Sequence, residues 1–206
     1  MEKDKRKFIL DELMQPDFIT EQECDMLLKE YEESGKSELN VSLLSEHNLL
    51  IANADMKKTE LHFFRKDKEK SMYKRVDHMI FEQQSNGKWK LHLIEMKGSV
   101  GERKWVEIKG KFRASYLLAQ ALAGMLELEI SETVLYTTCE RVEFHFSDTM
   151  PSARRGSLGR PFVRMQEEWN GGRFGLNFGR RIPFSHIPIQ MKRNQNGILV
   201  GNLTEK

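Results

Sequence analysis

The stretch RVDHMIFEQQSNGKWKLHLIEMK, residues 75–97, decides how this chain folds. Its two halves, 75–83 and 89–97, are rich in β-branched, aromatic and leucine side chains. Between them stands Ser85-Asn86-Gly87, so the run predicts a β-hairpin. Two registers are open to it. A two-residue Asn86-Gly87 turn sets Asp77 opposite Met96, so that it faces away from Glu95. A three-residue loop Ser85-Asn86-Gly87, with Gly87 left-handed as in a G1 bulge, pairs Gln84 with Lys88 and therefore Asp77 with Glu95, Met79 with Leu93 and Phe81 with Leu91. Only the second gives one coherent apolar face, and a one-residue slip turns every side chain over, so it is the expected register. Alternate side chains of a strand share a face, which puts Glu95 and Lys97 together at the end of that face, beside Asp77.

Working outward, Pro16 followed by Thr20-x-x-Glu23 has the form of a capping box. Cys24, Leu27, Leu28 and Tyr31 then recur at i, i+3, i+4 and i+7 before Gly35, which predicts a first helix. Residues 39–56 are apolar without settling into either period and stay open between helix and strand. Residues 61–65 read as a short strand ended by the charged turn 67–70. Downstream, 98–104 reads as a polar loop. Residues 109–128 carry Phe112, Tyr116, Leu117, Ala119, Ala121, Leu122, Met125 and Leu126, a helix with a broad apolar side. Residues 133–138 form a buried-type strand for which 142–146 is a candidate partner. The expected order is helix, three strands, helix, strand, an α/β class. Residues 151–159 are the expected flexible joint, dividing a core at 1–150 from a C-terminal extension at 151–206.

A length of 206 residues suits one main domain, and 39% hydrophobic residues with three Trp and twelve Phe exclude a disordered chain. No apolar run approaches the roughly 18–20 residues of a membrane helix, and no hydrophobic signal core follows Met1 to Lys7; the expectation is a cytoplasmic protein without a membrane partner. Cys24 and Cys139 stand apart from each other and from any His at ligand spacing, so both are expected as buried small hydrophobes, with neither disulfide nor zinc. The net charge of +2 hides an asymmetry: residues 151–206 hold ten bases against three acids, +7, which leaves 23 against 28, −5, for the first 150. This expects an anionic partner, nucleic acid being the commonest, against the alternative of a basic surface that is merely solvated. The segment 169–181 interleaves Gly, aromatics and Arg. It suits base stacking with phosphate contacts from Arg173, Arg180 and Arg181, or equally Gly-rich hairpin turns with Phe174 and Phe178 packed inward. Walker A, GxGxxG and GxSxG patterns are missing, which excludes the NTPase and esterase readings.

Two carboxylates at the end of a buried sheet face repel unless something positive lies between them. Hard oxygen ligands with open positions suit Mg2+ or Mn2+, and Lys97 can neutralise only one of the pair. Arg75-Val76-Asp77, a hairpin, Ile94-Glu95-Met96-Lys97, a helix and a strand together resemble the core of the PD-(D/E)XK nuclease superfamily, over roughly residues 20–146. The resemblance implies a restriction-endonuclease-like fold, a central mixed sheet flanked by helices. It implies Asp77, Glu95 and the backbone carbonyl of Met96 as ligands of Mg2+ or Mn2+, Lys97 as the catalytic lysine, DNA as substrate with RNA as the other candidate, and a homodimer as an admissible assembly. The chain departs from the pattern in having no Pro before Asp77 and no acid that can be placed from the first helix, where Glu30, Glu33 and Glu46 compete. The helix after the motif offers Lys109, Lys111 and Gln120 toward a phosphate. Two alternatives stand beside this: a non-catalytic nucleic-acid- or protein-binding module on the same fold, and an exposed cross-strand charge pair with no site at all. His78 and His92 fall on the opposite face of the hairpin and are expected to pack or to lie at the surface.

Overall fold

The computed structural model describes residues 5–32, 35–55, 72–144 and 165–205. Along the chain these form a short helix α1 (Lys5–Phe8) that runs into a π turn (Ile9–Leu13), then strands β1 (Thr20–Gln22), β2 (Asp25–Glu32), β3 (Gly35–Ser42), β4 (Asn48–Ile51), β5 (His78–Gln83), β6 (Trp89–Met96) and β7 (Ser99–Gly101). The long helix α2 (Glu102–Met125) follows, with β8 (Ile130–Cys139), β9 (Arg141–Glu143), a short helix α3 (Met165–Asn170), β10 (Arg173–Asn177), β11 (Arg181–Gln190), β12 (Lys192–Arg193) and β13 (Leu199–Thr204).

The central hairpin takes the three-residue loop. Gly87 has φ +79°, the Gln84 amide donates to the Lys88 carbonyl at 2.7 Å, and Met79 faces Leu93 as Phe81 faces Leu91. From this hairpin a seven-stranded mixed sheet extends in the order β1-β4-β5-β6-β8-β11-β10, with β6, β8 and β11 parallel and the rest antiparallel. Met79, Phe81, Leu91, Leu93 and Leu135 bury against Trp105, Ile108, Phe112, Ala119 and Leu122 of α2. Their neighbours in alternation, Ile80, Ile94, Met96, Val134 and Tyr136, bury against Met26, Leu28, Leu39, Val41, Leu199 and Leu203. These last belong to a four-stranded sheet, β12-β13-β3-β2. The molecule is thus α/β in three layers, and β6 is buried on both faces because both are covered.

Several expectations are corrected by this arrangement. The first helix is absent: Thr20 starts β1 opposite Leu50, and residues 25–32 are β2, antiparallel to β3. Met26 and Leu28 alternate inward while Leu27 and Tyr31 are about half exposed, so the real period is two; Leu27 beside Leu28 had made a helical period fit as well. The open stretch 39–56 contributes strand, in β3 and β4. The polar loop 98–104 is β7 and the first turn of α2. Gly101 makes that junction, since a Cβ there would stand 2.8 Å from the Glu143 carbonyl oxygen. Residues 141–143 pair with β7 rather than with β8. One face of the main sheet is covered by a second sheet, not by helices. The C-terminal part is no appendage, for β11 adds parallel to β8 and β13 parallel to β3, so both sheets are completed from beyond residue 150. The strand expected at 61–65, the turn at 67–70 and the joint at 151–159 lie outside the described residues. No helix among the described residues is long and apolar enough to cross a membrane.

Candidate active site

Asp77 stands one residue before β5, and the register His78–Ile94 carried back by one sets it against Glu95. Both are buried, Glu95 completely. The pairing is fixed by backbone groups: the Met96 N–H donates to Asp77 Oδ2 at 2.6 Å, and the Asp77 carbonyl accepts from the Ala54 N–H at 2.7 Å. One residue earlier, the Val76 N–H donates to Ser115 Oγ of α2 at 2.9 Å, tying the strand entrance to the helix. Ser115 is one helical turn beyond Lys111, so the face of α2 that anchors the strand also aims Lys111 at the carboxylates.

Two ammonium groups enter this pair. Lys111 Nζ donates to Glu95 Oε1 at 2.7 Å and lies 3.8 Å from Asp77 Oδ1. Lys97 Nζ lies 2.9 Å from Glu95 Oε1, 3.7 Å from Asp77 Oδ2 and 3.6 Å from Glu30 Oε1, and donates to the Met96 carbonyl at 2.7 Å. Burial, and after it the charge of Asp77, push the Glu95 carboxyl up to about 7 against the pull of the two lysines. Burial works against the charge of Lys97 and of Lys111, yet the Glu95 and Asp77 carboxylates outweigh it and hold both ammonium groups above their ordinary range.

Of the three acids that competed for a third position, Glu30 on β2 reaches the cluster; Glu46 lies beside Cys24, and Glu33 is outside the described residues. The strand that replaced the expected helix carries Glu30 on the same side as Met26 and Leu28, which is how it arrives there. The remaining candidates disperse. Lys109 pairs with Glu168 at 2.8 Å, as does Arg181, and the Trp105 indole N–H donates to the same carboxylate at 3.3 Å. This is a clasp joining α2, α3 and β11. Gln120 and Arg173 line a surface pocket of about 370 Å³ with Tyr116 and Phe184, nine residues beyond Lys111 for Gln120, or about 13 Å along the helix. Arg173 and Arg180 are exposed in the β10–β11 hairpin, where Phe174 packs inward.

Sequence reading missed Ser115, whose role needs the helix and strand to be docked. His92 takes the packed of its two expected placements, and does so inside a polar network. His92 is buried, with Nε2 3.0 Å from Glu82 Oε2 and Nδ1 3.2 Å from Tyr136 Oη, and Tyr136 donates to Glu205 Oε1 at 2.8 Å. The hairpin register already set Glu82 diagonal to His92 on one face, a legible signal for that half of the network. Cys139 is buried as expected, Cys24 half-buried, and both are free thiols.

The donor set at Asp77 and Glu95 is one that hard cations prefer: carboxylates and a carbonyl, all oxygen. Glu95 Oε2 is buried without a hydrogen-bond partner, so the set keeps an unused acceptor. It is sparse, because among the described residues no three His, Cys, Asp or Glu side chains gather closely enough to form a ready metal group. Lys97 stands in the middle of the oxygens and holds Glu30 at its far side. The residues fit Mg2+ or Mn2+ in kind through two paired carboxylates and the Met96 carbonyl, with Glu30 held on the far side of Lys97. No family model, curated protein or solved structure matches this chain, so the chemistry of the site rests on its own atoms.

Proposed function

We propose that this chain is a Mg2+- or Mn2+-dependent nuclease that hydrolyses phosphodiester bonds of DNA, with RNA as the other substrate class, on a restriction-endonuclease-like core. The observation that carries the reading is the meeting of Asp77, Glu95, the Met96 carbonyl and Lys97 at the end of two paired strands, in a buried and strongly charged cluster. Structural residues seldom bring two carboxylates and two lysines into one dry place, because each must be desolvated, and such clusters with displaced pKa values concentrate at functional sites. Asp77, Glu95 and the Met96 carbonyl would hold the ion, which supplies a Lewis acid for the phosphate and acidifies an attacking water. Lys97 and Lys111 donate toward charge that grows on the phosphate oxygens. Glu30 extends the carboxylate set from the second sheet. The exposed Arg173 and Arg180 and the basic balance beyond residue 150 supply charge for a nucleic-acid backbone.

One observation favours a second reading, a non-catalytic nucleic-acid- or protein-binding module. Lys97 already sits on Glu95 Oε1 and the Met96 carbonyl, two of the oxygens that would hold the ion, so the cluster carries its own cation. Incubation with single-stranded, duplex and branched DNA and with RNA, in Mg2+ or Mn2+, separates the two. The nuclease reading expects the intact protein to cut and Glu95→Ala and Lys97→Ala to be silent. Nucleic acid bound but uncut under every condition gives the second reading the lead.

A further inference from the structure

We propose that the Lys97 ammonium is the resting occupant of the cation position, and that a divalent ion loads by exchange with it while Lys111 stays on Glu95. This rests on the metal-dependent reading above and concerns how the site is filled. Oxygens from three separate elements surround Lys97 Nζ: Met96 O at 2.7 Å, Glu95 Oε1 at 2.9 Å, Glu30 Oε1 at 3.6 Å and Asp77 Oδ2 at 3.7 Å. These are the oxygens an ion would use. Mg2+ demands oxygens at about 2.0–2.1 Å, so an ion on Met96 O and Glu95 Oε1 competes with the Lys97 ammonium for the lone pairs of both oxygens and repels its charge.

Charge gives the same answer. With all groups ionised, three carboxylates and two lysines leave one negative charge. A dication in place of Lys97 brings the cluster to neutrality, whereas a dication added beside both lysines leaves it positive and crowds three cations onto one buried oxygen.

Of the two lysines, Lys97 is the one built to leave. It follows the last residue of β6 and precedes Gly98, and its side chain is 23% exposed against 14% for Lys111. Its backbone stays fixed, because its N–H donates to the Thr138 carbonyl at 3.0 Å. The four-carbon stem can therefore swing outward without moving the strand. Lys111 stands on a helix whose flanking Ile108, Phe112 and Ser115 are buried, so its ammonium cannot retreat as far.

Two readouts on the purified full chain test this, with Mn2+ or Mg2+ alone as the probe. Amine labelling followed by mass spectrometry should find Lys97 slow to react without metal and several-fold faster with it, with Lys111 slow in both. Titration calorimetry should find Lys97→Met binding Mn2+ about ten- to a hundredfold more tightly than the parent, the factor that corresponds to losing one charge-assisted hydrogen bond, and Lys111→Met gaining less. Mn2+ binding of equal strength in parent and Lys97→Met, with Lys97 labelling unchanged by metal, overturns the exchange and leaves the metal site standing. Absence of Mn2+ binding in both the parent and Lys97→Met overturns the exchange together with the metal-dependent reading. The labelling arm uses the unaltered chain, so it decides even where the variant folds poorly.

Discussion

Ser115→Ala isolates the contact that holds the entrance of β5 against α2. Ser115 and Val76 are both fully buried, and the Val76 N–H donates to Ser115 Oγ at 2.9 Å. Alanine has nearly the volume of serine, so packing changes little, but a buried amide is left without its acceptor. Such an orphan costs about 1–3 kcal/mol. For a chain of this size 1 kcal/mol moves the melting midpoint by roughly 2–4 °C, so a loss near 2 kcal/mol lowers it by about 4–8 °C. Urea unfolding should find the midpoint reduced with the slope unchanged, because the surface exposed on unfolding is the same. Hydrogen exchange should find the Val76 amide less protected than its neighbours in β5. The change should also loosen Asp77, the next residue, and, on the proposed nuclease reading, reduce cleavage more than global stability explains. A variant within about 0.5 kcal/mol of the parent, with Val76 protection intact, refutes the anchoring role.

The other expectations follow from neighbouring parts of the fold. Burial pulls His186 down to about 3, so the unfolded chain takes up a proton near pH 6.5 that the folded one refuses; stability is whole above pH 6.5 and falls by roughly 1.4 kcal/mol per unit on acidification toward pH 3. Urea titrations over this range should find His186→Gln losing stability less steeply than the parent by about that amount, while His78, pulled down to about 4, keeps its own slope in both chains; equal slopes in parent and variant sink the assignment. Glu168→Ala leaves Lys109 and Arg181 without their shared carboxylate. Breaking a fully buried pair costs roughly 3–5 kcal/mol, and because Arg181 is half exposed the expected loss is about 2 kcal/mol by urea titration, with altered Trp emission from Trp105 and Trp169. Replacing Arg173 and Arg180 by Ala should weaken duplex DNA binding and lower the salt slope by about 1 per lost phosphate contact. An unchanged slope, or no binding by the parent, counts against these arginines as a nucleic-acid contact.

Local patterns carried the centre of the molecule. The alternation in residues 75–97 and the single glycine able to sit at positive φ determined the hairpin, its register and hence the meeting of Asp77 with Glu95. The spacing of Phe112, Ala119 and Leu122 determined the helix that lies across it, because an apolar stripe of that period can be buried in only one way. Residues 25–32 were undecidable by the same means: the positions of Cys24, Leu27, Leu28 and Tyr31 satisfy a helical period while Met26 and Leu28 satisfy a strand. Only β3 lying alongside, with its backbone groups awaiting partners, made the extended form the stable one. The placement of Glu30 against Lys97 follows from that choice. The clasp of Lys109 and Arg181 on Glu168 likewise joins residues far apart in sequence. Strand partners are chosen by hydrogen bonds between distant segments, and such bonds leave no period in the sequence. Two carboxylates, their register and a helix to cover them were therefore written along the chain, while the second sheet, the third acid and the filling of the oxygen cluster by Lys97 were settled only when the layers closed.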